Sequence, residues 1–460
     1  MRGRLIQANA AAFLKARLSA VAEQHRVCGA QLAIQRGSDT IAIEVGEVEH
    51  RSRRPITGDT AFPIGSITKS FTATLAMILV ADGDLDLNMP LRTHLPELDE
   101  LGDRLTLRHL LSHTGGLASE PGRADTSVSS LRRYVADHCH GRNCVLPPGA
   151  GFSYSNLGYV VVGRLIEAIT GMSWAEAMDS ILLRSLGIVP AFVSATGSGS
   201  PSRPVATGHS VNVPRGRTQP VRQSFAPPEA PAAGLAVSAL DLLALGRIHV
   251  APGVPGVLPP DHAELMRRPV SGAEPVGLAD GWGLGLAVFR GAGTDWVGHD
   301  GNADGTACYL RVDPAGDWIV ALTANTNTGI GMWRESLAVL SDAGIPILPL
   351  PADGVSSAVG VGHQPGSSVP DRAGTYVNGD CEYVIGRSDG SWSLTANGAD
   401  LVLLMGTDDL SFTLLDHSSG QRLPGGRFLR DPVTGAVSGV MVGGRVASRR
   451  TSDPSNSQNR

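Results

Sequence analysis

Ser66-Ile67-Thr68-Lys69 places a hydroxyl and an amine three residues apart, with Gly65 in front and a largely apolar run to residue 79 behind. Positions three apart share a helical face, so the two groups can meet. A neutral amine beside a hydroxyl can take its proton as the oxygen attacks a carbonyl. A helix start at Ser66 would also aim its backbone N–H at the oxyanion that forms. Alone, the pattern also fits an N-cap serine followed by a solvated lysine. Lysine usage argues for the chemical reading. The chain has only two lysines, Lys15 and Lys69, and every other permanently basic residue is arginine. Arginine cannot give up its proton at useful pH, whereas a desolvated lysine can. A lysine at position 69 therefore suits a task that needs a neutral amine.

Two further groups could serve the same carbonyl. Tyr154-Ser155-Asn156 lies between Pro148-Gly149 and a helical pattern from residue 157. A phenol there, flanked by cations, would have a lowered pKa and could shuttle protons. Asn156 could donate to a substrate amide carbonyl. Val297-Gly298-His299-Asp300-Gly301 reads as the end of a strand turning towards the next. His299 would face the cleft, and Gly301 would let a substrate backbone lie close. His109 and His113 are assigned to structure. His138-Cys139-His140 and Cys144 read as a polar surface loop, because their spacing matches no common zinc pattern.

The elements that must hold these residues follow from periodicity. Residues 10–24 are amphipathic and helical. Residues 31–34 and 40–45 form a hairpin around Arg36-Gly37-Ser38-Asp39. Helical patterns cover 66–79, 105–111, 157–170, 175–186, 238–249 and 332–341, and strands cover 284–289, 295–298, 306–312 and 318–324. Residues 186–233 are rich in Pro, Gly, Ser and Thr and read as long irregular loops. This is an α+β pattern. Residues 346–370 read as a linker. Beyond it the period drops to two, with short strands at 374–377, 381–386, 392–395, 401–405, 410–415, 426–429 and 437–442, a small antiparallel barrel or sandwich. Residues 451–460 are expected to be a disordered tail.

At 460 residues the chain exceeds one ordinary domain. A net charge of -5 with scattered arginine leaves no basic footprint for nucleic acid. No stretch approaches membrane-spanning length and no apolar leader precedes residue 10, so a cytoplasmic location and no membrane partner are expected. Five sparse cysteines argue against a disulfide scaffold. No metal or cofactor is expected.

Taken together, Ser66-Ile67-Thr68-Lys69, Tyr154-Ser155-Asn156 and His299-Asp300-Gly301 resemble, in order and spacing, the three motifs of serine β-lactamases and penicillin-binding proteins, most like the class C and esterase branch. Supporting segments lie at 105–117, 147–170 and Ala233-Gly234-Leu235, and the resemblance spans about residues 10–345. It implies a β-lactamase/transpeptidase-like catalytic domain over 1–345, an antiparallel sheet with flanking helices plus a helical subdomain. A lipocalin-like β domain over 371–450 would follow. It also implies Ser66, Lys69, Tyr154 and His299 as the catalytic set and the backbone N–H groups of Ser66 and Asn302 as the oxyanion hole. Asn156, Gly301 and Gly234 would bind substrate.

The third motif departs from the family pattern, which carries Lys-Thr-Gly or Lys-Ser-Gly. His299 removes a permanent charge that would hold a β-lactam carboxylate. The pattern then resembles esterases, D-aminopeptidases and transacylases. With the added barrel it is most similar to stand-alone penicillin-binding-protein-type thioesterases of the surugamide-cyclase type. That resemblance implies release of a nonribosomal peptidyl thioester, presented by a peptidyl carrier protein, through head-to-tail cyclisation. By the same analogy Arg445 would bind a peptide carboxylate. A D-aminopeptidase, carboxylesterase or transacylase is the alternative. A β-lactamase or a non-catalytic penicillin-binding sensor ranks below it.

Overall fold

Strict alternation of side chains builds the central sheet. Helix α1 (Ala8–Gln24) leads into β1 (Gly29–Arg36) and β2 (Asp39–Gly46). Leu32 and Ile34 of β1 point into one core and Ala33 into another, so the sheet is buried on both faces. The computed structural model describes residues 8–119, 130–193, 203–223, 225–291, 293–347, 371–388, 391–396, 399–406, 410–416 and 421–450. The expected 348–370 part of the linker and the 451–460 tail lie outside the described residues.

After the short β3 (Phe62–Pro63), a tight 3-10 turn over Gly65–Ile67 feeds α2 (Thr68–Ala81). Every residue of α2 from Thr68 to Leu79 is buried. Its hydroxyls are satisfied inside: Ser70 donates to Gly285 O, Thr72 to Pro231 O and Thr74 to Ser70 O, each at 2.8 Å. The helical block adds α3 (Leu107–Leu111), α4 (Leu131–His138), α5 (Asn156–Thr170) and α6 (Trp174–Ala177). Helix α5 is N-capped by Ser155, whose Oγ accepts from Gly158 N, and ends at left-handed Gly171.

The 186–233 segment is less irregular than its composition suggests. It holds β4 (Ala191–Phe192), the hairpin β5 (Gly208–Asn212) and β6 (Arg217–Val221), and α7 (Ala230–Ala233). Then come β7 (Leu235–Val237), α8 (Ala239–Gly246) and α9 (Pro260–Arg267). Strands β8 (Gly281–Trp282), β9 (Ala287–Phe289), β10 (Trp296–Ala303), β11 (Thr306–Asp313) and β12 (Trp318–Ala324) precede α10 (Gly329–Asp342). The main sheet runs β2-β1-β12-β11-β10-β9-β8 and is antiparallel. Helices α1 and α10 cover one face, and α2, α5 and α8 lie on the other.

The expected all-β unit is a closed eight-stranded barrel. Its strands are β13 (Gly374–Asn378), β14 (Cys381–Ser388), β15 (Ser391–Ala396), β16 (Ala399–Met405), β17 (Ser411–Asp416), β18 (Gln421–Arg430), β19 (Val437–Val442) and β20 (Arg445–Arg449). Strand β20, absent from the periodic pattern, pairs with β13 and removes both open edges. Two other sequence expectations are corrected. Helices α4 and α9 are additional. Cys139 caps α4 from inside the core at 0% exposure rather than sitting on a surface loop. Among the described residues no helix is long and apolar enough to cross a membrane. The cysteines are all free thiols.

Candidate active site

The chain turns sharply to present Ser66. Gly65 adopts φ 50°, and a Cβ on it would lie 2.2 Å from Asn302 O. Only glycine lets the turn reach β10 at this distance. Ser66 is partly open between buried Gly65 and Ile67. One turn on, Lys69 is fully buried, with Nζ 3.1 Å from Ser66 Oγ and donating to Ala232 O at 2.9 Å. Nζ also lies 5.0 Å and 5.8 Å from the ring centres of Tyr154 and Tyr159.

Tyr154 is hydrogen-bonded to the Ser66 side chain. The expectation of a lowered phenol pKa is overturned. Burial pushes it up to about 12, outweighing the opposing Ser66 bond and the Arg445 charge. The cations face the ring rather than solvating the oxygen: Arg445 Cζ lies 4.9 Å from the ring centre. Arg445 Nε donates to Ser119 Oγ at 2.8 Å, and Ser119 O accepts from Asn156 N at 2.9 Å. The barrel is thus wired to the first residue of α5.

His299 lies inside β10, not at its end, because the strand continues to Ala303. Its Nδ1 donates to Asp300 O at 2.6 Å, leaving Nε2 unprotonated in the neutral ring. Burial, and then the neighbouring Lys69, hold its pKa down at about 4. Asp300 pairs with Arg311, which also lies over the Phe289 ring. Counted back from the two-residue turn between Ala303 and Thr306, Asn302 falls at a non-hydrogen-bonded position of the β10–β11 ladder. Its main-chain groups therefore face the Ser66 turn, as the approach of its carbonyl to Gly65 requires.

These groups line one cavity of about 420 Å³. Ser66, Tyr154, Asn156, His299, Asn302 and Arg445 all border it. Lys69 reaches it from beneath through Ser66. Two expected substrate contacts do not. A Cβ at Gly301 would strike Ile64 O at 1.9 Å, so this glycine serves the packing of β10 on the nucleophile turn. A Cβ at Gly234 would meet Ala230 Cα at 2.8 Å, so that glycine serves the end of α7, while its neighbour Ala233 lines the cavity.

Residues not singled out in the sequence complete the walls. Phe225, Leu278, Trp282 and Phe289 make an apolar side. His113, assigned to structure, stacks on Tyr154 with ring centres 4.2 Å apart. Only the Gly115-Gly116 pair beside it, of which Gly116 is left-handed at φ 69°, could have signalled this. Among the described residues no group of three or more His, Cys, Asp or Glu gathers as metal ligands. A hydroxyl, a buried amine and a neutral imidazole acceptor can form and resolve an ester at Ser66.

Comparison with known proteins agrees with this geometry. The model of the Beta-lactamase family matches residues 8–343. Penicillin-binding protein 4 of Amycolatopsis lactamdurans is 32% identical over 350 residues, 72% of this chain and 90% of that protein. Esterase EstB of Burkholderia gladioli is 32% identical over 60% of this chain and 79% of its own. The crystal structure of SurE superposes with a TM-score of 0.82 at 38% identity, covering 96% of this chain and 99% of that one, barrel included. A second structure, SurE with D-Leu, gives 0.79 at 37% identity. A chain with this serine turn, this sheet and these relatives belongs to the Beta-lactamase family of serine hydrolases and penicillin-binding proteins.

Proposed function

We propose that the protein is a penicillin-binding-protein-type thioesterase that takes a peptidyl group from a carrier-bound thioester onto Ser66 and releases it as a ring. The observation that carries this reading is the likeness to SurE across both the catalytic unit and the barrel, which together border the cavity. In acylation, Lys69 removes the Ser66 proton as Oγ attacks the thioester carbonyl. The C–O bond forms, the C–S bond breaks, and the thiolate takes the proton from Lys69. The backbone N–H groups of Ser66 and Asn302 hold the oxyanion. In release, the peptide's own N-terminal amine attacks the ester. His299 Nε2, with Tyr154 and Lys69, accepts the amine proton, which passes to Ser66 Oγ as the C–O bond breaks. The apolar wall of Phe225, Leu278, Trp282 and Phe289 favours a folded-back peptide over water.

Incubation with a peptide N-acetylcysteamine thioester, followed by mass spectrometry, tests the reading. Cyclic product depleted by one water relative to the linear acid is expected. Linear acid alone, across several sequences, overturns it. The second reading, a carboxylesterase or D-aminopeptidase, is favoured by the match to Esterase EstB. Turnover of simple esters or D-amino-acid amides as fast as of peptidyl thioesters selects it.

A further inference from the structure

The most strained residue of the site is one the chemistry above does not use. His113 is a non-glycine residue in the left-handed region, at φ 57°. The residue is buried, at 2% exposure. Nδ1 accepts from Ser155 N at 3.1 Å, so the neutral ring carries its proton on Nε2. That Nε2 has no hydrogen-bond partner among the described residues. The His113 ring sits among those of Phe152, Tyr154, Tyr159 and Trp282, with ring centres 4.2–5.6 Å from its own. Backbone strain and a buried donor without an acceptor each oppose folding, and such features persist where the surroundings use them.

The hydrogen bonds of residues 153–155 show the use. Ser153 N donates to His113 O at 2.9 Å, and Tyr154 N donates to Gly444 O at 2.8 Å. Ser155 N donates to His113 Nδ1. Three consecutive N–H groups around the tyrosine are thus held alternately by His113 and by the turn between β19 and β20 of the barrel. Val446 N closes the frame by donating to Ser153 Oγ at 3.2 Å. Gly444 has φ 73°, and a Cβ there would lie 2.5 Å from Leu278 Cδ1 and 3.2 Å from Phe152. The barrel turn fits its place only as glycine.

We propose that His113 and the Gly443-Gly444 turn of the barrel are positioning elements that clamp the Tyr154 backbone from two sides and set its phenol on Ser66. The inference rests on Tyr154 acting in acyl transfer at Ser66, and not on the identity of the acyl group.

A small activated ester, p-nitrophenyl acetate, is the probe, because it needs no ring closure and reaches no distant wall. Tyr154→Phe sets the floor; wild-type rates in that variant overturn the premise separately from the clamp. His113→Gly accepts the left-handed backbone but removes the acceptor and the stacked ring. Its kcat should fall by about 10²-fold with KM unchanged, the effect of misplacing a reacting group by about 1 Å. His113→Asn tolerates the same backbone and places an amide oxygen where Nδ1 stood, so it should recover most of that loss. Gly444→Ala acts on the tyrosine from the barrel without touching His113, and should lower kcat by about tenfold or more, again at constant KM. It also tests the clamp should the His113→Gly chain not fold. A folded His113→Gly or Gly444→Ala enzyme within about threefold of wild type overturns the proposal, as does an Asn variant no better than Gly.

Discussion

Lys69 separates charge from basicity at a single position. Its amine meets Ser66 Oγ and Ala232 O from a fully buried place. Lys69→Arg keeps a cation there but removes the possibility of a neutral amine. Acylation of Ser66, followed by fluorophosphonate labelling, should fall by about 10³-fold or more. Labelling at the wild-type rate would end the neutral-amine argument. Histidines supply a second prediction. Burial holds His299 at about 4 and His249 at about 3, both below the usual 6.5. Below pH 6.5 the unfolded chain binds protons that the folded one refuses, so stability falls as pH drops towards 4. Tm should decrease by roughly 5–10 °C between pH 7 and pH 4.5. His249 is fully buried, and a backbone hydrogen bond to Ala263 offsets only part of that burial. His249→Leu should flatten that acid limb in scanning calorimetry while leaving ester turnover at pH 7 unchanged. At this scale the sequence was informative about Ser66, Lys69 and Tyr154, because residue type and spacing encode them. It misjudged the phenol's acidity, since burial of Tyr154 depends on Trp282 and His113, far apart in the chain.

Elements were legible where period and caps agree. Helix α5 runs from its Ser155 cap to Gly171 almost as the pattern predicts. The His299 motif was misplaced because Gly298 and Gly301 read as turn residues. They are glycine for another reason: Leu310 O and Ile64 O leave no room for a Cβ at either. Strand β10 is pressed between β11 and the nucleophile turn. Gly301→Ala should therefore destabilise the fold by about 1–3 kcal/mol, and shift Asn302 away from the Ser66 turn. Urea denaturation with parallel Ser66 labelling checks both; a variant normal in the two would mean that β10 can yield. Helices α4 and α9 escaped detection because each is eight residues long, with charged residues scattered through it.

At the scale of the whole molecule, the two units are joined by buried polar bonds as well as surface. Asn378 of the barrel accepts from Ser119 N and donates to Val446 O, both at 2.7 Å. Asn378→Ala leaves those groups unsatisfied, about 1–3 kcal/mol each. Hydrogen exchange over residues 374–449 should then quicken, and slower ester turnover should accompany it. Unchanged exchange would mean that the barrel holds to the body by other contacts. The barrel was readable from alternating strands, but its junction was not, because side-chain partners such as Ser119 and Arg445 carry no periodic signature. That junction has a consequence in time. Ribosomal synthesis delivers Ser66 early and the Gly443-Gly444 turn late, and contacts so distant in sequence form slowly. During refolding from urea, helical signal should return first and nucleophile reactivity last. Ser66 would then stay unreactive towards esters until the last strands of the barrel have closed.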